Sequence, residues 1–260
     1  MMDKSPLKFP VGTSLSGKRG LVVGIANESS IAAGCARAFV ASGATLAATY
    51  LNEKAQPYVR KVTDSLGCNL LLPCDVSIPG QLEAVFDRIG TDWGQLDFLL
   101  HAIAFAPADD LHGRVVDCSA SGFGMAMGIS CHSFLRMAHL AEPLMGAGGS
   151  LLTVTFYGSE RVVANYNMMG PVKAALESAV RYTAAEFGPK AIRANAISPG
   201  AIRTRAASGI AHFDQILAAE AAVAPEHHLV DVDDVGALAA FLVSDGAARI
   251  TGTIIPVDGG

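Results

Sequence analysis

Tyr166 and Lys173, at the two ends of Y-N-M-M-G-P-V-K, are a phenol and an ammonium at a spacing that suits proton chemistry. On a helix, seven residues make about two turns, so the pair would share one face. A phenol with its ordinary pKa of about 10 is a poor acid or oxyanion donor alone, and a nearby ammonium favours its anionic form. The lysine has a second use, since it can hold a ribose hydroxyl. The plainer alternative is a core Tyr and a surface Lys on an ordinary amphipathic helix.

Four further segments carry related chemistry. G-I-A-N-E-S-S-I-A-A-G runs from Gly24 to Gly34, out of an apolar run and into a helical one. Small residues there let the backbone approach a pyrophosphate, and a helix N-terminus supplies N–H donors and positive potential. Ala26 and Ser30 stand near where the usual fingerprint has glycines, and the Ser30 hydroxyl can replace some backbone contact. An ordinary turn capped by Asn27 or Ser29 is the alternative. Cys74-Asp75-Val76 follows the third apolar run, where a carboxylate accepts from an adenine amino group or merely caps a helix. H-A-I-A-F-A-P, residues 101–107, offers small residues against which a ribose and nicotinamide could lie. His101 itself reads as a satisfied, partly buried histidine. In N-A-I-S-P-G-A-I-R-T, residues 195–204, Pro199 and Gly200 turn the chain. The Ile202 backbone and the Thr204 hydroxyl could then reach a carboxamide and a pyrophosphate.

These segments lie at the ends of strand-like runs. Strands are expected at Gly20–Ile25, Thr45–Tyr50, Asn69–Pro73, Leu96–Ala102, Ser150–Phe156, Ala191–Ile197 and Thr253–Val257. Helical patterns occupy residues near 29–42, 53–66, 78–92, 120–145, 164–187 and 231–244. Continuous apolar runs suit strands buried on both faces, and the alternation implies a parallel sheet wrapped by helices. The fold class is therefore α/β: one doubly wound, Rossmann-type domain over residues 1–260 with a seven-stranded parallel sheet. The stretch 198–230 falls outside the alternation and reads as a lid.

Composition narrows the class further. The chain is 51% hydrophobic and only 17% charged, which excludes disorder and suggests a large core with subunit interfaces. A net charge of -5 with no Lys/Arg cluster gives nucleic acid no footprint and an anionic membrane no anchor. Five Cys without a C-x-x-C pair argue for a reducing compartment. No apolar signal segment is visible near the first residues, so a cytoplasmic location is expected. No His/Cys cluster has metal-ligand spacing, and Glu226-His227-His228 reads as structural.

In this order and spacing the motifs resemble the short-chain dehydrogenase/reductase superfamily over essentially the whole chain. The usual superfamily lysine stands four residues after the tyrosine, where this chain has Gly170. The seven-residue step, with Met169 inside it, is similar to the enoyl-acyl-carrier-protein reductases. So are G-S-E-R-V-V-A-N-Y-N-M-M-G, I-R-T-R-A-A-S-G-I and the final V-D-G-G. The resemblance implies reduction of a trans-2-enoyl thioester by a nicotinamide cofactor, with Tyr166 as oxyanion donor and Lys173 on the nicotinamide ribose. It assigns Gly24, Ser30, Ile31, Asp75, Val76, Ile103, Ile202 and Thr204 to the cofactor. Ala106, Phe156, Tyr166 and Ala206 fall to the substrate, and 202–217 to the closing part of the lid. It further implies a homotetramer and an acyl-carrier-protein partner.

Three departures bear on specificity. Phe156 stands where many bacterial members have a second Tyr; it can pack on an acyl chain but cannot donate a hydrogen bond. In the lid, Ala211, Asp214 and Gln215 replace expected basic residues, while Arg205 adds one charge. Attraction to an acidic carrier is thereby weakened, and coenzyme A thioesters become an alternative substrate. After the second strand, Leu51 and Asn52 are uncharged and Glu53 would repel a 2′-phosphate, with Lys54 the sole counter-argument, so NADH is expected over NADPH. Two other functions stay open: a carbonyl or hydroxyl oxidoreductase of the same superfamily, and a non-catalytic nucleotide-binding regulator. The hydroxyl of Thr153, where carbonyl reducers usually have Ser, keeps the first in view.

Overall fold

The computed structural model describes residues 13–146, 148–204, 213–225 and 227–260. Seven apolar segments pair in parallel into one sheet: β1 (Arg19–Val23), β2 (Thr45–Tyr50), β3 (Leu70–Pro73), β4 (Phe98–His101), β5 (Gly149–Val154), β6 (Ile192–Pro199) and β7 (Ile254–Val257). Their order is β3-β2-β1-β4-β5-β6-β7. Each strand lies within two residues of its expected bounds at either end. The order reverses beside β1, so the C-terminal ends of β1 and β4 form the crevice where such sheets take ligands.

Burial on both faces explains the unbroken apolar runs. Val22, Phe98 and Leu100 point into one core layer, closed by α1 (Ile31–Ala41), α2 (Gln56–Ser65) and α9 (Val232–Val243). Leu21, Val23 and Leu99 point into the other, closed by α3 (Gln81–Trp93), α6 (Ser133–Ala141) and α7 (Met169–Phe187). Helix α1 lies unusually close to α9: a Cβ on Gly34 would come within 2.1 Å of the Val232 carbonyl oxygen. Asp231 fixes the start of α9 by a reciprocal capping box with Asp234.

Two helical expectations need correction. The stretch 120–145 is broken: α5 (Ala120–Met127) passes through a wide π turn, Gly128–His132, before α6. Helix α7 starts at Met169 rather than near 164, because Asn165 and Asn167 take positive φ angles of 63° and 45°. Left-handed residues cannot continue a right-handed helix, and Asn is among the few side chains that tolerate that region. Tyr166 therefore sits in the turn before α7, not on one helical face with Lys173. Within 198–230, the stretch read as a lid, residues Phe213–Val223 form helix α8. A short α4 (Ala108–Leu111) lies past β4.

Candidate active site

At the C-terminal end of the sheet a cavity of about 230 Å³ opens between the loops after β4, β5 and β6. Its wall includes Phe156, Tyr166 and Lys173, together with Ala106 from the loop after β4. Ile31, Ile103, Ile202 and Thr204 complete the part expected from the sequence. Leu111 and Phe213 are apolar contributors that sequence reasoning did not single out, and Met169, noted inside the Tyr–Lys step, joins them.

Lys173 is buried in the first turns of α7, and its Nζ donates to the Val154 carbonyl at 2.7 Å, at the end of β5. Burial pulls its pKa down to about 8, against the opposing pull of Glu177 and Cys131. Tyr166 is 8% exposed. Its ring packs on Phe156 with centroids 4.8 Å apart and runs close over Gly158, where a Cβ would come within 2.5 Å of it. Burial first, and the Glu177 carboxylate second, push the phenol well above its ordinary range. The expectation that an ammonium would favour the phenolate is thus overturned: desolvation dominates, and Tyr166 stays a neutral hydrogen-bond donor.

The walls are held by bonds behind them. Ser130, on the π turn, accepts from the Phe105 amide at 2.9 Å and donates to the Phe105 carbonyl at 3.1 Å, which pins the loop after β4. Thr155 donates to Glu177 at 2.7 Å under the end of β5. His101 is fully buried between Thr153 and Ser133, each 2.8 Å from a ring nitrogen. The Thr153 hydroxyl is thereby engaged with His101 beneath the sheet end, and Thr153 is absent from the cavity wall. This removes the one feature that favoured a carbonyl reducer.

The remaining expected cofactor residues line up along the crevice. Gly24 has φ +120° and packs on Ala102, where a Cβ would meet the carbonyl oxygen at 2.2 Å. Ser30 is the N-cap of α1, but its hydroxyl turns back to the Asn27 carbonyl, at 2.7 Å, and leaves the first amides of the helix uncapped. No acidic side chain occupies that first turn, so the donor set fits an anionic pyrophosphate. The Asp75 carboxylate accepts from the Ser77 amide and hydroxyl at 2.9 and 2.6 Å; the N-cap of α3 is Gly80. Val76 is buried beside it, and Leu51 is 55% exposed past β2. Asp214 lies in the first turn of α8 and pairs with Arg203 at 2.8 Å. Ala206, Arg205, Ala211, Glu226 and the lid span 205–212 lie outside the described residues.

Among the described residues no helix is long and apolar enough to cross a membrane. A family model described as Enoyl-(Acyl carrier protein) reductase matches residues 24–260. The enoyl-[acyl-carrier-protein] reductase [NADH] FabI of Salmonella typhimurium is 46% identical over 247 residues, 95% of this chain and 94% of that one. A crystal structure of the reductase from Anaplasma phagocytophilum in complex with NAD superposes with a TM-score of 0.89 at 43% identity, covering 94% of this chain and 92% of that one. The Bacillus cereus enoyl-acyl carrier protein reductase with NADP+ and indole naphthyridinone gives a TM-score of 0.92 at 44% identity, covering 95% and 96%.

Proposed function

The chain belongs to the enoyl-(acyl carrier protein) reductase family, and from that premise we propose how its residues reduce a trans-2-enoyl thioester to the saturated acyl thioester with NADH in fatty-acid synthesis. Bound NADH supplies a hydride to C3 of the substrate. Charge then develops on the thioester oxygen as an enolate, and C2 takes a proton. Tyr166 donates its hydrogen bond to that oxygen. Its burial keeps the phenol protonated and the site dry, so the bond strengthens as charge appears. Lys173 has one N–H on Val154, and its remaining N–H groups and positive charge would hold the nicotinamide ribose.

Gly24, Ser30 and Ile31 hold the pyrophosphate, Asp75 and Val76 the adenine, and Leu51 flanks the adenosine ribose. Ile103, Ile202 and Thr204 take the nicotinamide end. Phe156 and Ala106 border the acyl chain, and the apolar Phe213 supports a role for 198–230 as the lid. The physiological substrate is carried on acyl carrier protein, which α8 attracts weakly. The working form is a cytoplasmic homotetramer.

One observation carries the reading: a neutral buried phenol and a buried ammonium share the wall of an apolar cavity at the crevice. The test is NADH consumption with crotonyl thioesters, offered on carrier protein and on coenzyme A, in the native protein and Tyr166→Phe. Native turnover is expected, with a loss of roughly 10²–10³-fold in the variant while NADH still binds. NADH binding without turnover on either thioester would move the assignment to a carbonyl substrate or a non-catalytic binder.

A further inference from the structure

Among the described residues Glu177 is the only Asp or Glu that is buried as a whole residue, and the reaction above gives it no task. It is 4% exposed, in the middle of α7, and its Oε1 accepts from the Thr155 hydroxyl at 2.7 Å. A carboxylate is almost never buried to this degree without a partner, because desolvation is costly. Two features say what it is for. Lys173 stands one helical turn earlier on α7, equally buried, with its hydrogen bond directed to Val154 rather than to the carboxylate. Thr155 is the next residue after Val154, so the carboxylate and the ammonium grip neighbouring residues at the same strand end.

We propose that Glu177 is a positioning residue for this reaction: the buried counter-charge that keeps the Lys173 ammonium charged and, through Thr155, fixes the strand end to which that ammonium is bonded. The inference rests on the reading of Lys173 as the group that holds the nicotinamide ribose. An ammonium removed from water sheds its proton unless a negative charge compensates. Around Lys173 the titratable groups are Glu177 on α7, Cys131 on the π turn and His101 on β4, with Tyr166 in the turn before the helix. His101 is neutral, its pKa held at about 3, and burial keeps the Cys131 thiol protonated. The phenol is neutral as well. Glu177 is therefore the only formal negative charge in that set. The same carboxylate helps to keep the Tyr166 proton in place.

The experiment compares the native protein with Glu177→Gln, which keeps the shape and the acceptor oxygen toward Thr155 but removes the charge. NADH affinity is followed by nucleotide fluorescence from pH 6 to 9.5, and kcat/KM with crotonyl-coenzyme A over the same range. Native affinity should fall above about pH 8, where Lys173 loses its proton. In Glu177→Gln that alkaline limb should move down by about one pH unit or more, in binding and in turnover alike. At pH 6, where Lys173 is protonated in both, the two proteins should converge. A uniform loss with an unmoved limb would overturn the proposal and leave Glu177 a structural residue. Glu177→Met, of similar volume and without polar atoms, is the second variant if the glutamine protein does not fold, and the same shift is expected. The binding arm needs no acyl substrate. A moved limb in NADH affinity without native turnover would sustain the role of Glu177 and sink the reductase reading. Native turnover with neither limb moved would do the reverse.

Discussion

At the scale of single residues, His101 shows how a polar group is accommodated in a dry interior. Ser133 gives its proton to the Ile129 carbonyl at 2.6 Å, so at its 2.8 Å contact with His101 it accepts from Nε2. A neutral ring then has Nδ1 as an acceptor, and the single Thr153 proton is shared between Nδ1 at 2.8 Å and the His101 carbonyl at 3.1 Å. Burial first, and the Lys173 charge second, hold the ring neutral with its pKa at about 3. An unfolded histidine titrates near about 6.5. Below that pH the unfolded chain takes up a proton that the folded chain refuses, so stability falls as pH drops from about 6.5 toward 3. The slope approaches roughly 1.4 kcal/mol per pH unit inside that window, and above it the group adds no pH dependence. His101→Gln should be less stable at neutral pH, through lost bonds, yet flatter between pH 6.5 and 4.5. Urea midpoints across that range decide it, and parallel slopes for the two proteins would defeat the argument. The sequence allowed a satisfied histidine at 101, but nothing local marked Ser133 or Thr153 as its partners. Glu177 was equally hidden, since a Glu on an amphipathic helix reads as solvent-facing until its neighbours are known.

At the scale of elements, the strands were legible because a strand buried on both faces must be apolar without interruption. Helix boundaries were legible only where a periodic face or a cap marked them. The apolar pattern of 164–187 conceals the left-handed Asn165 and Asn167, since backbone angle leaves no trace in hydrophobicity. Helix α8 left no period in the sequence, because only Ile216 and Leu217 are buried along it. The glycine at 34 belongs to a motif read as a phosphate cradle, but its place in the structure is against α9. A Cβ there would lie 2.1 Å from the Val232 oxygen, a backbone atom that cannot swing aside. Gly34→Ala must therefore push α1 off α9. The expected cost is about 1–3 kcal/mol, as for other overpacked contacts. The displacement also moves the uncapped first turn of α1, so NADH affinity should fall several-fold while crotonyl-coenzyme A KM changes little. A thermal scan with a nucleotide titration tests both effects. Unchanged affinity in a destabilised protein would confine Gly34 to packing.

At the scale of the whole molecule, the reversal of strand order beside β1 makes one crevice, and the loops after β4, β5 and β6 make the cavity beside it. That much follows from the alternation of strands and helices. The charge around the entrance does not follow from the fold, and it bears on the partner. Asp214 is 80% exposed at the start of α8, and its pairing with an Arg203 that is 75% exposed does little to hold it. A carboxylate there sets a negative charge beside the cavity, on a molecule whose net charge is already -5. Such charges act mainly on encounter rates, and salt screens them. Asp214→Lys should therefore raise kcat/KM for carrier-bound crotonyl substrate several-fold at low ionic strength. The coenzyme A thioester, smaller and less extensively docked, should gain less. Both gains should vanish in about 1 M salt, where the screening length drops to about 3 Å. Kinetics on the two thioesters at low and high salt give the answer. An equal gain on both, or none on the carrier, would mean that carrier recognition lies on another face, and that the acidic start of α8 does not set the preference between thioesters.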